Sequence, residues 1–470
     1  MNCNTDLVRV RNIGETHDLD SQVEYLKRYV RFTRKPIERL SSTSLQQSFL
    51  PDSSTMGQTF RLLDLSASND HLDDQCNQEP LDVPVTESPF PADADLSDFM
   101  FAISTTFKRL SDPTTIQEWA YWLTSNNRSN GGKLLVQLVD ATDAEITDVA
   151  ARLAKVGVDA EVGGWDSRIE KKMAIRYLNL VPLLVSRQAA NTKWFVLCDD
   201  DTFFTAMNGL VAKLKTYDPT QPHYVGTLSE DMTAVRLHGS QAFGGGGVFL
   251  SRPLAKIVAG AHASCRTPAK VKKSNSGWGA QGDILLRNCI YDNTDVRMTW
   301  MRDLWQLDLS GGDASGFYES GIKPFSIHHF RGGQKWHTTY PLNTTQIAHT
   351  CGEDCPYQRF VTADNFIISN GYSIAQYPDG IDFRLDQVER TFRSIHPDHQ
   401  GSFDYTFGPQ RPSLVKTGKK IAWDLVESQR LEDGSVSQVY VRKKDDERWT
   451  KEKKPVKAHD GVIELVWIPA

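Results

Sequence analysis

The sequence has no apolar run approaching the ~20 residues that a membrane-spanning helix needs, and its N-terminus lacks the apolar core of a signal peptide. Read literally, that is a soluble chain with no secretory address and no transmembrane segment. Basic residues do not dominate: 53 Lys and Arg stand against 59 Asp and Glu, a net charge of −6. Without a basic footprint, a nucleic-acid partner is not expected. Cysteines are few, seven in 470 residues, and only Cys351 and Cys355 are closely spaced. One CxxxC is too little for a zinc site, which normally wants a second pair or histidine partners nearby. A local disulfide or two unpaired thiols remain, the former fitting the chemistry of a secretory lumen. Asn127-Arg128-Ser129 and Asn343-Thr344-Thr345 are glycosylation triplets of a kind that also arises by chance.

What is present in quantity is core-forming material. Hydrophobic residues make up 39% of the chain and the mean hydropathy is −0.43. The length suggests two to three domains of ~150 residues each. Charge is uneven: Ser41 to Leu96 holds ten acidic residues and a single basic one, Arg61. That stretch is rich in Ser, Asp, Pro and Gln, lacks a sustained apolar period, and reads as a disordered linker. Before it, residues 19–40 place Val23, Leu26, Tyr29, Val30 and Phe32 at loosely helical spacing, stopped near Pro36.

Globular patterning begins near Asp98. Residues 99–105, 133–140 and 193–198 are short apolar runs that predict buried strands. Residues 114–124, 143–157 and 168–188 carry apolar positions three and four apart, which predicts helices. This alternation argues for an α/β layer with a mainly parallel sheet, and such sheets bind ligands beyond the carboxyl ends of their strands. Two places qualify: the loop Ser104-Thr105-Thr106 and whatever follows Cys198. From about 340 onward, turn-punctuated short segments and the apolar run 462–469 predict a β-rich region. The units expected are a leader (1–96), a catalytic domain (97–340) and an accessory region (341–470).

Cys198 is followed by Asp199-Asp200-Asp201-Thr202. Three consecutive carboxylates at a strand end repel one another and need a counter-charge, for which a hard divalent cation is suited. The plain alternative is an acidic loop capping the next helix. A haloacid-dehalogenase phosphohydrolase needs Asp-x-Asp-x-Thr, and the register here fails. Gly244–Gly247 allow a close backbone approach or a turn, but match neither a dinucleotide fingerprint nor a P-loop. Gly277-Trp278-Gly279-Ala280-Gln281-Gly282-Asp283 puts one carboxylate at the start of an apolar helix, as a general base or as a favourable charge at a helix N-terminus. His328 and His329 end another short apolar segment, where packed structural histidines are also common.

In order, KWFVLCDDDTFF (193–204), HYVGTLSED (223–231), AFGGGGVFLSR (242–252), GWGAQGDILL (277–286) and KPFSIHHF (323–330) resemble the Fringe-like glycosyltransferases of glycosyltransferase family 31. CPYQRF (355–360) and NGYSIAQYPDG (370–380) are similar to the distal region of uncharacterised members, so the resemblance spans about 98–385. It implies a GT-A fold: a nucleotide-sugar-binding sheet flanked by helices, here with a β-rich C-terminal region and a disordered leader. It further implies an inverting, metal-dependent transfer, usually forming β1,3 linkages, from a UDP-sugar to a glycan or glycoprotein hydroxyl, with Mn2+ or another divalent cation. Carried over by position, Asp201 and His328 (or His329) would bind the metal, and Asp199 and Asp200 the nucleotide and metal. Asp283 would be the base, Thr105 would meet the nucleotide, and Gly245 and Gly246 would line the donor sugar. Trp278 would stack on the acceptor or pack into the core. Two departures stand out. Members are normally Golgi type II membrane proteins, whereas no anchor is evident here, so a membrane-anchored partner becomes a candidate. Several relatives also carry two adjacent acids where this chain has Gly282-Asp283, leaving one candidate base. The competing expectation is a family member that binds glycans or nucleotide sugars without turnover.

Overall fold

The computed structural model describes the chain outside residues 1–4, 38–47, 51–54, 58–59, 68–70, 73–78, 169, 309–313, 334–335, 381–402, 405–407, 410–419, 449–456 and 470. Two sheets dominate it. The first has seven strands in the order Asp159–Trp165, Lys133–Val139, Phe99–Thr105, Trp194–Leu197, Val248–Ser251, Tyr224–Gly226 and Met298–Trp300. The first four are mutually parallel, and Val248–Ser251 runs antiparallel to its neighbours. The apolar runs at 99–105 and 194–197 are buried nearly throughout, as strands covered on both faces must be.

Helices Pro113–Leu123 and Asp143–Lys155 cover one face, burying Ile116, Trp119, Val149 and Leu153 with Phe101 and Val136. Thr142 and Glu145 close a reciprocal cap at the start of the second of these helices, which fixes where it begins. Helices Met173–Arg187, Arg252–Cys265 and Gly282–Asn293 cover the other face through Leu178, Val181, Leu254 and Leu285. The result is the mixed α/β sheet flanked by helices that the resemblance implied. The carboxyl ends of Phe99–Thr105 and Trp194–Leu197 open on the same edge, so the Thr105 loop and the three aspartates meet there.

The second sheet has ten strands and corrects the reading of the N-terminus. Its central order is Phe366–Ser369, Ser373–Gln376, Ile421–Arg430, Val436–Arg442, Asp460–Pro469 and Gln22–Arg34. The expected helix over 19–40 is this last strand, paired in parallel with Asp460–Pro469 from Val23 opposite Asp460 to Phe32 opposite Pro469. Its period of two is hidden by Arg28, which is buried between Leu26 and Val30 and donates to the carbonyls of Glu79 and Thr55. Val23 and Tyr25 belong to the opposite face, packed with Val10 and Ile13 of helix Leu7–Thr16, and this change of face mimics helical spacing.

The expected disordered leader is likewise corrected among the described residues. Arg61–Asp64 and Leu81–Val85 both pair with Gln22–Arg34. Buried ties join the C-terminal region to the part of the chain that carries the first sheet. Lys420 grips the Glu319 carboxylate, which also accepts from Ser373, and Glu353 accepts from the amide and side chain of Asn208. Cys351 and Cys355 are disulfide-bonded, and so are Cys265 and Cys289, a pair 24 residues apart that spacing did not suggest. Cys198 is a buried free thiol. No helix among the described residues is long and apolar enough to cross a membrane.

Candidate active site

Beyond the two strand ends lies a cleft of about 710 Å³, lined among others by Thr105, Arg109, Tyr177, Asp199, Asp200, Asp201 and His328. The strand Trp194–Leu197 is fixed on both sides by backbone pairing, so the acidic loop leaves the sheet at a defined point. The three carboxylates then part. Asp199 and Asp201 turn towards His328, whose Nε2 lies 3.4 Å from Asp199 Oδ2 and 3.1 Å from Asp201 Oδ1. Asp200 is buried and turns away: Arg109 holds both its oxygens, and the Thr105 hydroxyl donates to it. Arg331 donates to the Asp200 carbonyl while paired with Glu118, which pins the loop from beneath.

Asp199, Asp201 and His328 offer ligand atoms that all lie within 4.8 Å of one another. Two carboxylates and an imidazole make a hard donor set with one nitrogen, suited to a divalent cation of the manganese or magnesium kind. The electrostatics show the same demand for positive charge. Burial would lower His328, yet the Asp201 carboxylate, aided by Asp199, raises it to about 9. Burial would raise Asp201, yet the His328 imidazolium and then Arg109, 3.8 Å away, hold it far below the usual carboxylate range. A proton on His328 thus fills the place of a cation. Its Nδ1 donates to the Gln306 carbonyl at 3.1 Å, which leaves Nε2 as the atom facing the acids.

His329 is not part of this group. Its backbone turns to φ 55° and its ring stacks on Trp336, with Nδ1 3.0 Å from Asp308.

The glycine loop stands behind the acids and outside the cleft lining. Gly245 and Gly246, expected to line the donor, are buried: a Cβ on Gly245 would lie 2.1 Å from His328 Nδ1, and one on Gly246 2.4 Å from Thr227 Cγ2. Three neighbouring side chains hold the loop's backbone. Thr202 donates to the Gly245 carbonyl at 3.0 Å, Gln306 Oε1 accepts from Gly246 N–H at 3.0 Å, and Ser326 donates to the Gly246 carbonyl at 2.7 Å. It knots together the acidic loop, the Gln306 segment and the strand Ser326–Ile327 that carries His328.

Asp283 opens helix Gly282–Asn293 and arrives beside the same loop. A Cβ on Gly244 would sit 3.2 Å from Asp199 Oδ1 and 3.4 Å from Asp283 Oδ1, so the two carboxylates flank one point. Burial, then the Asp199 charge, push Asp283 up to about 7, partly offset by the Gly244 amide and the Tyr177 hydroxyl. Trp278 is 71% exposed on the loop before this helix, which excludes the core-packing reading.

Sequence reasoning missed Arg109, Gln306 and Arg331. Arg109 stands four residues after Thr105 with no motif around it, and the other two act through backbone carbonyls and amides, which leave no local signature.

A Fringe-like family model matches residues 164–308. No curated protein matches the sequence. Among solved structures, mouse xyloside xylosyltransferase 1 in its apo form is similar at 11% identity, over 43% of this chain and 84% of that one, with a TM-score of 0.28. A mannosyltransferase from Pyrobaculum calidifontis in complex with GDP-Man and Mn2+ is similar at 13% identity, over 54% and 69%, with a TM-score of 0.28. Core-mannan synthase A from Aspergillus fumigatus in its Mn/GDP form is similar at 7% identity, over 49% and 81%, with a TM-score of 0.28. Thr105 and His328 lie outside the range of the family model, which takes in the acidic loop, the glycine loop and Asp283. Over residues 164–308 this chain is similar to the Fringe-like family.

Proposed function

We propose that this protein is an inverting, metal-dependent glycosyltransferase that moves a hexose or N-acetylhexosamine from a UDP-sugar to a glycan hydroxyl, forming a β1,3 linkage. The observation that carries this reading is the grouping of Asp199, Asp201 and His328 within 4.8 Å, with Asp283 meeting Asp199 beside Gly244. Asp199, Asp201 and His328 would hold the cation, which when bound offsets the charge developing on the leaving diphosphate. Asp200 acts at one remove by holding Arg109 over the cleft, where its guanidinium meets the phosphates. Thr105 fixes Asp200, and Gly245 and Gly246 act by placing His328.

The acceptor oxygen attacks the anomeric carbon as the bond to the diphosphate breaks, and its proton passes to Asp283. A carboxyl raised to about 7 is a stronger base than a solvated one once deprotonated. One base suffices, because direct displacement inverts the anomeric centre without the second carboxylate of a glycosidase. Trp278, exposed ahead of Asp283, would stack on the acceptor sugar. Two disulfides favour an oxidising compartment, so the working location is the secretory lumen, the Golgi by family resemblance, with a membrane-anchored partner as one means of retention.

The test is a donor screen with Mn2+ that follows UDP release and product, repeated with Asp283→Asn and Asp201→Ala. Transfer is expected to fall by roughly a hundred- to ten-thousandfold in Asp283→Asn, with UDP binding kept. Asp201→Ala is expected to lose metal-dependent UDP binding. Donor binding without turnover on any acceptor would instead support a non-catalytic binding protein.

A further inference from the structure

A second cavity, of about 540 Å³, lies where the segment 337–340 faces the sheet built from both chain ends. It shares no lining residue with the catalytic cleft, but the two have a wall in common. Arg331, Gly332 and Trp336 line the cleft, and the residues that follow, His337 to Tyr340, line this cavity.

Its surface combines aromatic faces with planar polar groups. Tyr340 is 52% exposed, an unusual state for a large ring in a concave wall. Tyr372 is half-buried and backed by Tyr318, stacked at 4.7 Å between ring centroids, which fixes its orientation. On the strand paired beside Tyr372, Asp424 is bridged at 2.7 Å by Arg448, which also reaches Asp446 at 2.8 Å. The first pair remains open to the cavity, with about half of each side chain exposed. The Lys443 ammonium, on the same wall, donates to the carbonyls of His17 and Asp18.

Two carboxylates therefore face two cations, and the cavity has no net field that would draw a phosphate or a polyanion. His337 adds a hydrogen-bonding group. Thr339 donates to the Tyr318 oxygen, and the Tyr318 hydroxyl meets His337 Nε2 at 2.8 Å, which engages Nε2 and leaves Nδ1. That buried nitrogen has no hydrogen-bond partner among the described residues.

We propose that this cavity is a binding site for a neutral saccharide, separate from the catalytic cleft. Sugar rings present an apolar face of C–H groups and a rim of hydroxyls, each both donor and acceptor. Tyr340 and Tyr372 match the face; the Asp424–Arg448 pair, with acceptors and donors side by side, matches the rim. Cavities of this size where two parts of a fold meet are the usual setting for such ligands. The site does not depend on the transfer reaction. A glycan held there would touch the same short segment that walls the catalytic cleft.

The experiment titrates the full chain by calorimetry with chitotriose, cellotriose and N-acetyllactosamine in turn, with EDTA present to remove any metal. At least one probe is expected to bind wild type and Asp201→Ala alike. Tyr340→Ala and Asp424→Asn are expected to weaken it by roughly three- to tenfold with melting temperatures unchanged. In a parallel titration without EDTA, added UDP and Mn2+ should not displace it. The proposal is overturned if no probe binds, or if binding survives Tyr340→Ala and Asp424→Asn but is lost in Asp201→Ala, which would put the sugar in the catalytic cleft. Binding without any transfer activity would leave this site standing and count against the enzyme alone.

Discussion

Gly245 lies so close behind His328 that a Cβ on it would stand 2.1 Å from the imidazole Nδ1. The same nitrogen donates to the Gln306 carbonyl, so any push from Gly245 breaks the bond that aims Nε2 at Asp199 and Asp201. Gly245→Ala is therefore expected to weaken Mn2+ binding by roughly ten- to a hundredfold, the usual effect of losing a group that orients a metal ligand. Titration followed by Mn2+ electron paramagnetic resonance checks it. Unchanged affinity would mean that His328 is not a ligand.

Metal uptake should release a proton. Without metal, His328 is protonated up to about pH 9, and a ligating Nε2 must be neutral. Affinity should thus rise with pH across 6.5 to 9, and calorimetry in buffers of different ionisation enthalpy at pH 7.5 should report close to one proton released. Stability of the metal-free chain follows the opposite course. A histidine raised above its unfolded value stabilises fully below about 6.5, and that contribution is lost as pH climbs through 9.

Asp283 sets the acidic limb of the rate profile. A base must be deprotonated, so kcat/KM should climb with pH up to a pKa at or below about 7, because a cation beside Asp199 would offset part of the repulsion. The stability effect has the reverse sign. A raised carboxyl holds its proton more tightly when folded, so stability is lost as pH rises from 3.8 to about 7. Asp283→Asn should then be more stable than wild type at pH 8, by about 2 kcal/mol, while inactive. Urea denaturation at pH 5 and pH 8 separates the two effects.

Arg109→Ala would leave the buried Asp200 carboxylate with the Thr105 hydroxyl but without its guanidinium. A destabilisation of about 3 kcal/mol is expected, together with weaker UDP binding and a metal affinity no lower than wild type, since a cation 3.8 Å from Asp201 is removed. If UDP affinity is unaffected, the guanidinium does not meet the phosphates.

The Cys265–Cys289 disulfide joins helix Arg252–Cys265 to the helix that presents Asp283. Cys289→Ser should cost about 2–4 kcal/mol, read as a lower urea midpoint. A midpoint equal to that of the oxidised wild type would show that helix packing alone holds Asp283 in place.

The sequence by itself determined three of the first sheet's seven strands, Phe99–Thr105, Lys133–Val139 and Trp194–Leu197, and most of its flanking helices, because those segments carry their own apolar pattern; Asp159–Trp165, Tyr224–Gly226, Val248–Ser251, Met298–Trp300 and helix Arg252–Cys265 emerged only in the structure. It also determined the chemistry at the cleft edge: Asp199, Asp200 and Asp201 follow a buried strand, and charges so placed require partners wherever they fold. Only the tertiary structure assigned the partners, sending Asp200 to Arg109, 91 residues away, and Asp199 and Asp201 to His328, more than a hundred residues away. It alone separated His328 from His329, since neighbours in sequence point in different directions once the backbone at His329 turns to positive φ. It also made Gln22–Arg34 a strand. Arg28 interrupts the apolar face, and what holds that segment extended is its pairing with Asp460–Pro469 at the far end of the chain. Local pattern records which residues seek burial or counter-charge; which distant group supplies it is settled by packing.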